Sequence, residues 1–369
     1  MNLPKIALKI LESSYPKIWR EVDAVRALRG NTLPKWPDWC FLPSRFYPLI
    51  PSMNITEKLE RIKLMDTSGM PDDIMQELSS EQYNLNMHIR MLGPFSSWRA
   101  TQGIYVFDST IAEELVKTPM KGIVPIEAFT RIPEWGVYVD LSSCSYEVRE
   151  ILRKTHNRSI DGFFAHLDWK GDSDPVLYFV TIERSTGLPA GKAGVSVHFC
   201  DVQLGKTVEQ TIRNYGEDYG IDADQVQFAY MLISLLLYIC QVNGLERDII
   251  DTSGVEYTPA KPKPTKTRKG PRMFPPKSPR IWHCGSRQGP HLRRAREKMA
   301  TKHESSGLKR GSPRPHYRSA HWRWQAYGIG SRKNHALRRH ELRWIHPILV
   351  NLNKTLPDNG LIPATRDVE

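Results

Sequence analysis

The densest set of residues able to do acid–base chemistry is HYRSAH at 316–321, followed by Trp322 and Arg323, with Arg343, Trp344 and His346 downstream. Histidine exchanges a proton near neutral pH and arginine stabilises a phosphorane-like transition state. His316, Arg318 and His321 therefore have the residue types of a metal-independent ribonuclease. Alternation along a strand argues against that reading, because His316 and Arg318 share one face while His321 and Arg323 share the other. Packing or binding is preferred for this segment, and no catalytic residue is assigned. His166 and Asp168 form an i, i+2 pair, yet no third ligand follows at a recognisable spacing, so neither a metal nor a cofactor is expected. GxxxxGK[ST], GxGxxG, HExxH and GxSxG are absent, which removes the commonest nucleotide-binding and hydrolase readings.

Two other clusters point to binding. Acidic and aromatic side chains gather in PEWGVYVD and DGFFAHLDW, a mixture suited to a basic, extended peptide. Trp135, Val137 and Val139 should face one way on a strand. Glu134, Tyr138 and Asp140 should face the other, with Asp168 nearby, and these four are the expected peptide-binding residues. The second cluster is basic. Residues 259–346 hold 24 Lys+Arg against three acids, a net +21 that leaves the rest of the chain at −9. Such a segment attracts a polyanion, and Lys261, Lys263, Lys266, Arg268 and Lys269 are the expected RNA-phosphate contacts, with Trp282, Tyr317, Trp322 and Trp324 available for base stacking.

The elements that must position these residues follow from periodicity. Residues 4–29 read as a helix divided at Pro16, and 72–90 as a polar helix. Between them, prolines 34, 37, 43, 48 and 51 interleave with Trp36, Trp39, Phe41, Phe46 and Tyr47, predicting an extended segment wrapped on the domain. GIYVFD (103–108), WGVYVDL (135–141), GFFAHLDW (162–169), PVLYFVTIE (175–183) and VSVHF (195–199) predict strands of a mainly antiparallel sheet. A helix beginning at Asp222 or Asp224 and ending near Asn243-Gly244 contains FAYMLISLLLYIC, apolar all round. That run falls short of the ~20 residues that span a bilayer, so it predicts a central buried helix.

The fold class is therefore α+β. An acidic body spans 1–258, a mobile Pro/Lys-rich basic linker 259–313, and a C-terminal β-hairpin element 314–369. Five scattered cysteines without a CxxC pair read as reduced thiols, and the N-terminus shows no secretory h-region, so a cytoplasmic protein without membrane contact is expected.

The order GIYVFD, RIPEWGVYVDLSS (131–143), DGFFAHLD, LISLLLYIC (232–240) and RPHYRSAHWRWQAYGIG followed by LRWIHPILVN (314–330 and 342–351) resembles the type V-A anti-CRISPR family that blocks biogenesis of the Cas twelve-a effector nuclease. PEWxVYVD and RPHxRxxHW…LRW…VN carry it most specifically, and the likeness covers most of the chain from about residue 100. Gly136 stands where the family commonly shows Cys, and Arg323 where a His often follows HW. The resemblance implies a non-enzymatic inhibitor in the bacterial cytoplasm. It would recognise the effector's nascent N-terminal peptide and trigger loss of the encoding mRNA, with the ribosome or mRNA, and a host ribonuclease, as further partners. A toxin-type ribonuclease and a plasmid or phage RNA-binding regulator are the alternatives.

Overall fold

Proline has no amide hydrogen to continue a helix, and Pro16 divides the N-terminal segment into α1 (Leu3–Ser14) and α2 (Ile18–Ala27). The computed structural model describes residues 3–350 apart from 65–71, 119–125, 143, 157–158, 172–174, 185–194, 204–222, 242–247, 256–260, 306–315, 319, 328–338 and 346. After α2 the proline-rich segment forms an irregular strap with two short 3-10 turns, burying Trp36, Phe41, Phe46 and Tyr47. Next come α3 (Ile55–Leu64) and α4 (Asp72–Thr101). α4 outruns the predicted end near residue 90 and passes straight through Gly93-Pro94. Leu92, Phe95 and Trp98 are fully buried there, and the hydroxyls of Ser96 and Ser97 donate to the carbonyls of Gly93 and Pro94 at 3.1 and 3.0 Å. Packing overrides the helix-stop signal.

The strands are β1 (Gly103–Phe107), β2 (Gly136–Asp140), β3 (Gly162–Asp168), β4 (Val176–Arg184), β5 (Val195–Gln203), β6 (Ile249–Asp251), β7 (Thr265–Thr267), β8 (Gly270–Arg272) and β9 (Arg280–Cys284). Seven of them form one sheet in the order β5-β4-β3-β2-β1-β9-β6. β1 runs parallel to both its neighbours, and every other adjacent pair is antiparallel, so the protein is α+β with a mainly antiparallel sheet. On one face α5 (Ser109–Lys117), α6 (Tyr146–His156) and α7 (Ala223–Cys240) close over Tyr105, Val137, Val139, Phe163 and Phe179. On the other, α1, α2, α4 and the strap close over Ile104, Tyr138, Phe164 and Val180. α7 is the expected central helix, with Leu232, Ile233, Leu235 and Leu236 fully enclosed; its predicted end near Asn243-Gly244 lies outside the described residues. No helix among the described residues is long and apolar enough to cross a membrane.

The stretch expected to be a mobile linker is structured over most of its length. It contributes the β7–β8 hairpin, the interior strand β9 and α8 (Gln288–Ser305). β9 lies between β1 and β6, with Trp282 only 1% exposed and Cys284 fully enclosed. Five residues of strand set among prolines and lysines are diluted in any composition window, which is why the segment reads as linker. The C-terminal strands are β10 (His316–Arg318), β11 (His321–Tyr327), β12 (Arg339–Ile345) and β13 (Ile348–Val350). They pair β11 with β12 and β10 with β13 as one interrupted hairpin. Trp322 and Trp344 sit opposite each other and reach into the core: Trp322 Nε1 donates to Ser234 Oγ, and Trp344 Nε1 to Thr118 Oγ1, each at 3.2 Å.

Gly136 sets how closely α4 approaches the sheet. A Cβ at this position would collide with the Ser97 hydroxyl and stand 2.9 Å from the Trp98 backbone nitrogen. Gly136→Ala should therefore cost about 1–3 kcal/mol of stability, measured by denaturant unfolding. Unchanged stability would show that α4 shifts freely.

Candidate functional site

The basic segment after β6 is a loop drawn out between two neighbouring antiparallel strands, since β6 ends and β9 begins at the same edge of the sheet. Asp251 clamps its base. Oδ1 accepts from the amides of Ser253 and Val255, both at 2.9 Å, and Oδ2 accepts from Arg280 Nη2 at 3.0 Å. The Ser253 hydroxyl, which donates to Oδ1 at 2.7 Å, favours the charged form most and together with these bonds holds the carboxyl down at about 2. Farther out, β7 and β8 turn at Arg268-Lys269. Gly270 adopts φ +96°, and Thr267 Oγ1 donates to its carbonyl at 2.6 Å.

The N-terminal helices hold this hairpin by its backbone. Arg20 Nη2 donates to the Lys269 carbonyl at 3.2 Å, and Lys5 Nζ to the Lys277 carbonyl at 2.8 Å. Buried Asp23 accepts the Met273 amide at 3.0 Å with one oxygen and pairs with buried Arg99 of α4 through the other. Main-chain anchoring leaves the cationic side chains outside: Lys261, Lys263, Lys266, Arg268 and Lys269, the expected RNA contacts, are all exposed on this one loop. Beside Lys261 lies Arg26, buried, with Cζ 5.2–5.5 Å from the ring centres of Trp36, Phe41 and Trp135. Burial lowers its pKa to about 10, so it stays charged, with three ring faces supplying the attraction. Nothing in the sequence pattern singled out Arg26.

Not all of the basic charge faces solvent. Arg293 Nη1 meets Asp108 at 2.6 Å, Arg296 Nη1 meets Glu113 Oε2 at 2.9 Å, and Arg280 meets Asp251. Part of the acidic body is thus counter-charge for the chain's own arginines, not a surface awaiting a basic partner.

The expected peptide face needs correction on a different ground, burial. Glu134, Tyr138 and Asp168 are buried, since α4 and the strap cover the side of the sheet they point to. Asp168 accepts the Ser44 amide at 2.9 Å and the Ser44 hydroxyl at 2.5 Å, fastening the strap to β3. Tyr138 packs on Phe164, ring centres 4.8 Å apart. Asp140, half-buried, caps its own turn through Ser142. Of the predicted stacking residues, Trp282 and Trp322 are buried too. Strand alternation separated Val137 and Val139 from Tyr138, but Trp135, ahead of β2, packs in the layer of Tyr138 and not with the valines, and alternation did not show that a second layer covers each face.

In the C-terminal hairpin, His316 and Arg318 lie on β10 and His321 on β11, strands that pair with different partners. His321 and Arg323 occupy positions flanking Trp322, which points inward; the His316 and Arg318 side chains and His346 lie outside the described residues. Among the described residues no group of three His, Cys, Asp or Glu could hold a metal ion, and Cys40, Cys144, Cys240 and Cys284 are buried and free.

Comparison with solved structures shows the same architecture in the "Crystal structure of AcrVA2", with a TM-score of 0.58 and 20% identity over 95% of this chain and all of that one. No curated protein matches. Residues 105–352 match the AcrVA2-like family, described as the anti-CRISPR type V subtype A2 family. The chain belongs to that family, whose target is a CRISPR effector.

Glu134 supplies a test of the interior. Its Oε2 accepts from Thr101 Oγ1 at 2.7 Å, and burial lifts its pKa from 4.5 to about 7 against the hydrogen bonds that favour the charged form. The folded-state value lies above the unfolded one. Stability is therefore fully present below about pH 4.5 and is lost as the pH rises through 7. Buried His166, lowered to about 3 by desolvation, acts oppositely: its contribution is present above about 6.5 and lost as the pH falls towards 3. Glu134→Gln should raise stability on the order of 1–3 kcal/mol at pH 8 with little effect at pH 4, read from thermal melts at both. Parallel pH profiles for variant and wild type would contradict this assignment.

Proposed function

We propose that this protein represses synthesis of the type V-A CRISPR effector nuclease, recognising the effector's nascent N-terminal peptide and triggering loss of its mRNA. Family membership over 105–352 carries the anti-CRISPR part. The motifs PEWGVYVD and RPHYRSAHW, which resemble the members that act during effector synthesis, support the nascent-peptide part. The exposed loop cations add a surface suited to the mRNA or ribosomal RNA present where a peptide is nascent. Binding and not catalysis is the mode of action, and no observation favours the ribonuclease reading: His316 and His321 lie on separately paired strands. Peptide recognition is not assigned to Glu134, Tyr138 or Asp168, which are buried.

The experiment separates peptide from message. In cells making the protein, an effector reporter is recoded with synonymous codons at its start, which keeps the peptide and changes the RNA. A second reporter is frameshifted over the same stretch, which keeps most of the RNA and changes the peptide. Reporter mRNA should fall with the recoded version and persist with the frameshifted one. The reverse pattern, or cleavage of naked RNA by the purified protein, would overturn the reading.

A further inference from the structure

Exposed large apolar side chains are uncommon where a hairpin is otherwise cationic, and Phe274, 66% exposed, is one. It follows buried Met273, whose amide is fixed by Asp23, so the ring stands on anchored backbone. Thr267, Arg268, Lys269, Arg272 and Met273 join it in lining a recess. Arg268 and Lys269 form no ion pair with a carboxylate among the described residues, unlike Arg280, Arg293 and Arg296, while half-buried Arg272 also lies in the field of Asp23.

We propose that this recess is a binding site for single-stranded RNA. Phe274 stacks on one unpaired base while Arg268, Lys269 and Arg272 hold the flanking phosphates. The inference deepens the proposed action at the message and rests on that reading. A flat ring beside the exposed cations Arg268 and Lys269 suits a strand whose base faces are open, because stacking needs no particular base and the phosphates follow at fixed spacing. Duplex RNA hides its base faces in the helix and would leave the ring unused. An acidic peptide would engage the cations alone. A membrane surface calls for several apolar anchors, whereas Phe274 is the only exposed large apolar side chain among the described residues of 261–280. Because Arg20, Lys5 and Asp23 already order the hairpin backbone, binding need not restrict a flexible linker.

The test is fluorescence anisotropy of the full chain with a labelled, mixed-sequence single-stranded RNA of ~12 nucleotides. Phe274→Ala, on an exposed position, should leave the melting temperature unchanged and weaken binding by about 5- to 150-fold with the salt slope intact. Phe274→Trp should restore it. The triple variant Arg268→Gln, Lys269→Gln, Arg272→Gln should flatten the slope of log K against log salt by about 2, measured between about 50 and about 200 mM. Equal affinity of Phe274→Ala and wild type, preference for the duplex, or capture by phosphatidylserine vesicles in place of RNA would overturn the proposal. The reporter experiment does not involve Phe274, so the two readings fail separately. Absent RNA binding with peptide-dependent mRNA loss refutes this site alone, and Phe274-dependent RNA binding without peptide dependence refutes only the peptide reading.

Discussion

From Gly103 opposite Arg280 to Phe107 opposite Cys284, β1 is paired along its whole length with a strand that arrives very late in the chain. That pairing governs much else. Because β9 fills the slot between β1 and β6, Trp282 closes the interior beside Glu134, and the chain between β6 and β9 must leave and re-enter at one edge of the sheet. The basic loop is what lies between those two fixed points. Its path over α2 follows from the need to bring Arg280 back beside Asp251, and the bonds from Arg20 and to Asp23 hold it there.

Charge is sorted by the same geometry. Arginines that return to the body after β9 find Asp108, Glu113 and Glu114, while the lysines and arginines of the excursion stay outside, held only by their main chain. Exposed pairs contribute little each, ~0–1 kcal/mol, so the sorting matters more for where positive potential remains than for stability. Within 259–305, the fold thus separates an outward-facing basic loop from two helix arginines, Arg293 and Arg296, that are paired with the acids of α5 and its N-cap.

Much of this was legible beforehand. Pro16 dividing α1 from α2, the five runs that became β1–β5, and the all-round apolar α7 each carry their signal within a few neighbouring residues. What escaped depends on partners distant in sequence. RIWHC is a strand because β1 offers it an edge, and α4 continues through Gly93-Pro94 because Phe164 and Tyr138 await Phe95 and Trp98. Glu134 and Asp168 looked like surface carboxylates because strand alternation describes two faces and is silent on what covers them. Their partners, Thr101 and Ser44, sit 33 and 124 residues away. The basic loop was recognised by charge alone, whereas Phe274, a single aromatic between Met273 and two prolines, had no periodicity to mark it.

The docking of Trp322 and Trp344 against α7, read together with β9, bears on how the protein is itself made. A ribosome that has produced only the segment through α7 holds a sheet whose β1 has an unpaired edge, and a central helix whose Tyr238 has Phe107 beside it but still lacks Trp344. The β1 edge is closed only once β9 has emerged, and the Trp322 and Trp344 contacts on α7 only after β12 has followed. A message truncated before Arg280 yields not a smaller inhibitor but a chain whose β1 edge is left open to other strands.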